Sequence, residues 1–303
     1  MKLSTRMKKL LMLALVVTVL VTISGCTVPH DAKGNVILIT NNTTFQYIFE
    51  KESWFSAIFV WPLAWLINHL SMIIGVGGAI ALVTIVIHAL LAAFTSKSQV
   101  AMQRMQLIQP ELNKIQRKYE GVSTDSARMK MVQEQQALMK KYDVHPGSMM
   151  LVQFLQFPIV MAMFFAIQRA ESVAKGSFLG MILQVTPMKG LQQLIAGNMA
   201  SLSYIILFIL MLGSQFALIK LPLILQKKKA EAEAKKHHRR PEEVGGGSQQ
   251  VMMQYMMVGM IAIFGFTWFS GMSYYWFIRN IVDIVKTLIV QKKIDEQKPV
   301  GGR

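Results

Sequence analysis

Several side chains that can ionise or hydrogen-bond stand inside otherwise apolar runs, among them His88, Gln215, Arg279 and Asp283. A charge in hydrocarbon is costly, so such groups turn toward a protein interior or water and commonly serve the passage of an ion, proton or polar segment. His88 shares a helical face with Ala81, Thr84, Ala92 and Thr95, a small and partly polar strip poorly suited to lipid. The same imidazole could equally hydrogen-bond a neighbouring helix. Arg279 has Asp283 four residues on, the spacing of a local ion pair, and Ser273, Trp276, Asn280, Asp283 and Thr287 recur at three and four along one face. Gln153 and Gln156 either line a polar cavity or bond between helices. No carboxylate pair, metal-ligand spacing or serine/histidine/acid set accompanies these groups, and His237-His238 is a weak metal motif. Gly75-Val76-Gly77-Gly78 lacks the lysine and hydroxyl residue of a phosphate loop; its glycines instead suit close helix packing. The chemistry on offer is binding and solvation of polar groups within a membrane.

The single cysteine carries a different chemistry. Lys2, Arg6, Lys8 and Lys9 precede an apolar run from Leu10 to Ile23, short for a span and suited to a signal peptide over residues 1–25. Ile23-Ser24-Gly25-Cys26 matches the bacterial lipoprotein box, whose small residues fit the lipoprotein signal peptidase and whose thiol accepts a diacylglyceryl group. The expectation is a covalent diacylglyceryl and N-acyl lipid on Cys26 and no other cofactor. One cysteine also excludes an internal disulfide.

These residues need helices to position them. Of 303 residues 53% are apolar and 16% charged, with net charge +16, a combination that points to a polytopic helical membrane protein. Runs long enough to cross the hydrocarbon are Met72–Phe94, Met149–Ile167, Ser201–Leu225, Val251–Phe269 and Ser270–Val290. Lysine and arginine concentrate at residues 97–141, 227–240 and in the tail, which assigns those connections and the C-terminus to the cytoplasm and the mature N-terminus to the outside. Topology and attraction to anionic lipid account for the basic excess, so no DNA partner is expected. The predicted organisation is a lipidated linker and surface helix over residues 26–70, a five-span core over 71–290 and a basic tail over 291–303. Within the core, 95–148 form a cytoplasmic hairpin and 226–250 a cytoplasmic basic loop. Asp31–Lys51 reads as a short polar linker. Ser53–Leu70, with Trp54, Phe55, Phe59, Trp61 and Trp65, reads as an amphipathic helix at the outer surface.

In the hairpin, Pro110 suits a first helical turn and Leu112, Ile115 and Tyr119 follow on one face. Gly121 stops that helix; Ser123, Thr124 and Asp125 offer caps for a second, in which Met129, Val132, Leu138 and Tyr142 recur. The methionines suit either packing or an adaptable surface for incoming chains. Gly245-Gly246-Gly247 is a flexible joint.

Short motifs in a specific order carry a resemblance. Trp54-Phe55, Trp61-Pro62-Leu63-Ala64-Trp65, Gln109-Pro110-Glu111-Leu112, Lys118-Tyr119, Val144-His145-Pro146-Gly147, Gln156-Phe157-Pro158 and Ser273-Tyr274-Tyr275-Trp276 with Asn280 together resemble the YidC family of membrane protein insertases, in its Gram-positive lipoprotein form, from about Trp54 to Gln291. The resemblance implies an all-α membrane protein of five transmembrane helices around a hydrophilic groove open to the cytoplasm. It implies nascent membrane proteins as substrates and membrane lipids, ribosome–nascent chain complexes, the Sec translocon and the signal recognition particle pathway as partners. The family's groove arginine is matched here by His88, a departure, since imidazole titrates near neutrality whereas guanidinium stays charged. Gln215 matches a groove glutamine and Trp276 a late-span tryptophan. The substrate groove is therefore expected at His88, Gln215, Trp276, Arg279, Asn280, Thr84 and Gln156, with Arg279 a candidate to restore the missing charge. No catalytic residue is implied. A small transporter or channel using His88, Arg279 and Asp283, or a lipid-anchored scaffold, stands as the alternative; inverted repeats would favour the transporter, and none is evident.

Overall fold

In the computed structural model, residues 28–122, 124–144, 146–236, 238 and 248–296 are described. The expected signal peptide with Cys26, Ser123, His145, His237, Gly245–Gly247 and the tail beyond Glu296 lie outside them, as do the side chains of Met102 and Gln153. The described residues are helical almost throughout. In order come α1 (Phe45–Lys51), a π-turn (Ser56–Val60), α2 (Trp61–Phe94), α3 (Ser96–Leu107), α4 (Gln109–Lys118), α5 (Asp125–Lys141), α6 (Pro146–Arg169) and α7 (Glu171–Lys175). A small ribbon of β1 (Ser177–Phe178) and β2 (Met181–Ile182) leads to α8 (Pro187–Ile195), α9 (Leu202–Lys236), α10 (Ser248–Thr267) and α11 (Ser270–Glu296). By length and composition, two stretches of described helix could cross a bilayer, Ser56–Phe94 and Met199–Leu225. Contacts divide the chain into two units, the first made of residues up to 83 with 158–178 and 182–184, the second of 84–157, 179–181 and the chain from 185 on.

The first unit corrects the expectation of a polar linker over Asp31–Lys51. That segment is folded: Thr44 caps α1 by accepting from the Tyr47 N–H at 3.2 Å, and Ile39 and Ile48 are buried. The Ile39 N–H donates to the Arg169 carbonyl at 2.7 Å, and the Ile39 carbonyl accepts from Glu171 N at 3.1 Å and from Asn68 Nδ2 at 2.6 Å. Asn68 Oδ1 in turn accepts from Ser172 N at 2.9 Å, and the Trp61 indole donates to the Thr43 carbonyl at 2.8 Å. Arg169, only 1% exposed, reaches both Glu52 carboxylate oxygens at 2.7 and 2.6 Å and the Ile37 carbonyl at 2.9 Å. Residues 37–52 are thus tied to the C-terminal end of α6. The apolar run Val36–Ile39 is only four residues long and stands between the polar stretches Asp31–Asn35 and Thr40–Thr44, too short to show a period, which is why the sequence suggested a linker.

The aromatic stretch keeps its two-sided character. Phe55 is buried while Trp54, Phe59 and Trp65 remain exposed. The break between this helix and the first expected span falls at Gly75, not between Leu70 and Met72. Gly75 has φ 71° and ψ 166°, a conformation that a side chain resists, so the glycine sets the position. Met72, Ile73 and Ile74 belong to the segment before the break and are exposed. Gly77 is closely packed, though against β1 and not the helix expected: a Cβ there would lie 2.1 Å from the Phe178 ring.

The second unit contains the hairpin and the later helices. Pro110 opens α4 as expected, Gly121 adopts φ 82° after it, and Thr124 caps α5 by accepting from Ala127 N at 3.3 Å. A third helix, α3, precedes them, and its Met105 packs with Ile108, Leu112, Leu138, Met139, Tyr142 and Val144. Met129 and Val132 do not join that face; both are exposed, and α5 buries none of its residues fully. The predicted stripe holds at Leu138 and Tyr142 and fails at Met129 and Val132, because α5 touches α4 through its last two turns and otherwise through polar pairs.

The chief pair is Glu134, which accepts from Lys118 Nζ at 2.6 Å and Tyr119 Oη at 2.8 Å. These donors hold the Glu134 carboxyl below the usual range and push Lys118 and Tyr119 up. A lowered carboxylate value contributes stability that is complete above the ordinary glutamate range and lost as pH falls through the folded value. The raised lysine contributes below its ordinary value and is lost in strong alkali. Amide protection across α4 and α5 in the full chain, taken relative to the intrinsic exchange rate at each pH, is therefore expected to fall on acidification, more in the native protein than in Glu134→Gln. Equal acid sensitivity of the two would refute the assignment.

The expected basic loop at 226–250 is partly helix. Residues 227–236 continue α9, because alanine, glutamate and lysine are strong helix formers and Lys227 and Glu231 sit at pairing distance, 4.0 Å. Ser270 begins α11 with both its N–H and Oγ on the Val185 carbonyl, at 2.9 and 2.7 Å, and α11 then packs on α9 and α3.

Candidate functional site

Within the second unit, α11 and its neighbours gather the polar side chains that the sequence singled out. Their spacing of three and four on α11 makes one face of Ser273, Trp276, Asn280, Asp283 and Thr287. Thr84, His88, Gln215, Ser273, Asn280 and Asp283 are all buried. His88 Nε2 lies 3.3 Å from Tyr275 Oη, a contact between two buried rings. Asn280 Nδ2 donates to Ser214 Oγ at 3.0 Å, and Ser214 donates to the Met211 carbonyl at 2.7 Å. Gln215 Oε1 is buried without a hydrogen-bond partner among the described residues.

Arg279 is the central cation. Its guanidinium carbon stands 5.5 Å from the centre of the Trp276 ring, a cation–π arrangement, and Nε is 3.7 Å from Asp283 Oδ2. The other Asp283 oxygen accepts from Lys286 Nζ, three residues on. The ion pair expected between Arg279 and Asp283 is therefore present but loose, with the aspartate shared.

Beside the charges lies a small, shallow apolar cleft lined by Met211, Ile261, Phe264, Gly265, Trp268, Met272, Ser273 and Trp276. It remains open at Gly265, where a Cβ would meet Met211 Cε at 2.3 Å. Trp276 lines this cleft and also carries Arg279 over its ring. The arrangement can hold an apolar chain next to an anionic or strongly hydrogen-bonding group. It offers no activated nucleophile, and no group of three metal-binding side chains occurs among the described residues.

Of the residues expected at the site, His88, Thr84, Gln215, Trp276, Arg279 and Asn280 sit on the three helices α2, α9 and α11 of this unit. Gln156 is half-buried on α6, and no hydrogen bond joins it to this cluster among the described residues. Sequence reasoning missed Tyr275, Ser214 and Lys286 as participants. Lys286 was discoverable, since it stands three residues past Asp283. Tyr275 was not, because its hydrogen bond to His88 spans 187 positions.

Comparison with known proteins agrees with these motifs. The 60Kd inner membrane protein family matches residues 67–297. Membrane protein insertase YidC 1 of Streptococcus pyogenes serotype M3 is 36% identical over 129 residues, 43% of this chain and 46% of that protein. The chain thus matches about half the length of that relative. Membrane protein insertase YidC of Alkalihalophilus pseudofirmus is 32% identical over 177 residues, 57% of this chain and 65% of the relative. Membrane protein insertase YidC 1 of Listeria monocytogenes serotype 4b is 26% identical over 293 residues, 96% and 86% of the two chains.

Proposed function

We infer the function from kinship and from the site: the chain belongs to the 60Kd inner membrane protein family, and it works as a membrane protein insertase of the bacterial plasma membrane. Five helices cross the bilayer around a hydrophilic groove open to the cytoplasm, with the hairpin on the cytoplasmic side and a lipid on Cys26 holding the N-terminus outside. The observation that carries this reading is the joining, at Trp276, of an apolar cleft to the half-buried Arg279 and the buried Asp283, His88 and Asn280. A nascent transmembrane segment with a polar flank presents the same two chemistries.

The physical problem is the flank. Each backbone group left without a hydrogen-bond partner in hydrocarbon costs on the order of several kcal/mol. Polar side chains within the membrane shorten that barrier: Arg279, Gln215 and Asn280 receive the flank while the apolar part of the segment moves along Trp276 toward lipid. Partition into the bilayer then drives release, so no ATP hydrolysis or covalent step is needed. Nascent membrane proteins are the substrates, and ribosome–nascent chain complexes, the Sec translocon and the signal recognition particle pathway are the partners that such a role entails. Rescue of an insertase-depleted Gram-positive cell, with photocrosslinkers at positions 88, 215 and 276, tests the reading. Restored growth with crosslinks to nascent chains is the expected outcome. Solute flux through reconstituted vesicles without insertion of a single-span protein would overturn it in favour of a transporter.

A further inference from the structure

The folded segment in front of α2 carries a row of rings for which the candidate site has no use. On α1, Phe45 and Phe49 stack with ring centres 5.9 Å apart, and Phe45 meets the Trp61 ring edge-on at 5.7 Å. Trp61 continues to Trp65 at 6.2 Å, and Trp65 to His69 at 3.9 Å. Five rings thus run without a gap from α1 onto the first turns of α2. Phe45 and Phe49 are nevertheless 43% and 53% exposed, and Trp65 is exposed as well. A contiguous apolar patch of this kind marks a contact surface, whereas single exposed apolar side chains do not.

The row is held in place. Ile48 is buried beneath α1, the Trp61 indole donates to the Thr43 carbonyl at 2.8 Å, and Arg169 grips Glu52 just past the helix. The one donor of that indole is spent on backbone, which leaves its ring faces apolar. α1 is also two-sided. Gln46 and Glu50 each stand two residues from Ile48, which at about 100° per residue puts them roughly opposite it, and Gln46 Nε2 donates to Glu50 Oε1 at 2.8 Å. Phe45 and Phe49 fall on the flank between the buried and the polar faces, where a helix lying in a bilayer surface carries its rings. Trp61 and Trp65 belong to Ser56–Phe94, one of the two described stretches long and apolar enough to cross a bilayer, so the row leads straight onto a helix suited to lipid.

We propose that α1 is an interfacial helix in its own right: Phe45 and Phe49, together with Trp61 and Trp65, rest in the headgroup layer of the outer leaflet while Gln46 and Glu50 face water. Aromatic rings favour that layer, where hydrocarbon meets water. Arg169 and Trp61 supply the order in advance, so contact with lipid requires no further folding of residues 37–52. The segment then fixes the depth at which the chain before α1 leaves the membrane. Assignment to the outer leaflet rests on the topology of the insertase reading; contact with lipid does not.

The test places the photoreactive ring of p-benzoylphenylalanine in the full-length protein, in one variant at position 49 and in another at position 46. Each is irradiated in intact Gram-positive cells and in proteoliposomes of phosphatidylglycerol and phosphatidylethanolamine. Position 49 is expected to give several-fold more phospholipid adduct than position 46 in both settings. Protease resistance of residues 37–52 reports that the segment is folded, and position 45 carries the reporter if the variant at 49 fails that check. Equal lipid adduct at 49 and 46, no lipid adduct at either ring position, or an adduct with a protein or a cell-wall glycan at 49 in cells overturns the inference. Lipid adduct combined with protease cleavage of residues 37–52 from the cytoplasmic side alone overturns the outer-leaflet assignment and the topology with it. The proteoliposomes hold no substrate, so an absent lipid adduct leaves the insertase reading standing.

Discussion

Arg169→Gln is expected to destabilise the first unit by about 3–5 kcal/mol, because it strands the Glu52 carboxylate in a site closed to water. The Arg169 and Glu52 side chains are 1% and 10% exposed, and the guanidinium also satisfies the Ile37 carbonyl. Glutamine can replace one of these contacts but not the charge. The location at the C-terminal end of α6 adds a favourable interaction with the helix dipole, which the substitution also removes. Limited proteolysis between residues 37 and 52 and an unfolding midpoint in detergent measure the effect. The double change Arg169→Met with Glu52→Met should recover most of the loss, since a buried pair replaced by apolar side chains is often neutral. A loss below about 1 kcal/mol in the single variant would mean that water reaches the pair and that the tie is weak.

Arg279→Gln is expected to depress insertion far more than His88→Gln. The lost interaction is with a charged group, about 1.5–3 kcal/mol, or roughly one to two decades in rate for a substrate with an acidic flank. His88 is bonded to Tyr275 at 3.3 Å and glutamine can keep a hydrogen bond there, so His88→Gln should retain most activity. Complementation of depleted cells, with membrane levels of each variant checked, provides the comparison. Loss of insertion with His88→Gln alone would place the working charge at position 88 and end the idea that it has moved to the last helix.

Much of the molecule was legible in local patterns. Pro110, Gly121 and Thr124 each act through one or two neighbouring residues, and all three occupy the helix boundaries expected of them. The spacing of Trp276, Asn280 and Asp283 likewise follows from the pitch of one helix. The errors share a cause. Met129 and Val132 obey helical periodicity, yet α4 offers nothing at that height for them to pack against, so periodicity alone misplaced the buried face. Residues 37–52 read as a linker because their order depends on a partner, Arg169, more than a hundred positions away.

Composition and short-range spacing were enough to establish a helical membrane protein with polar groups inside apolar helices, since hydrophobicity and helical pitch are properties of neighbouring residues. Which of those groups remain open and which are already engaged was decided only in three dimensions. Lys286 claims Asp283, Tyr275 meets His88, and Ser214 meets Asn280, and two of these three contacts join helices far apart in sequence. A hydrogen bond or ion pair is settled by distances of a few tenths of an ångström, and for the two contacts between helices only packing sets them.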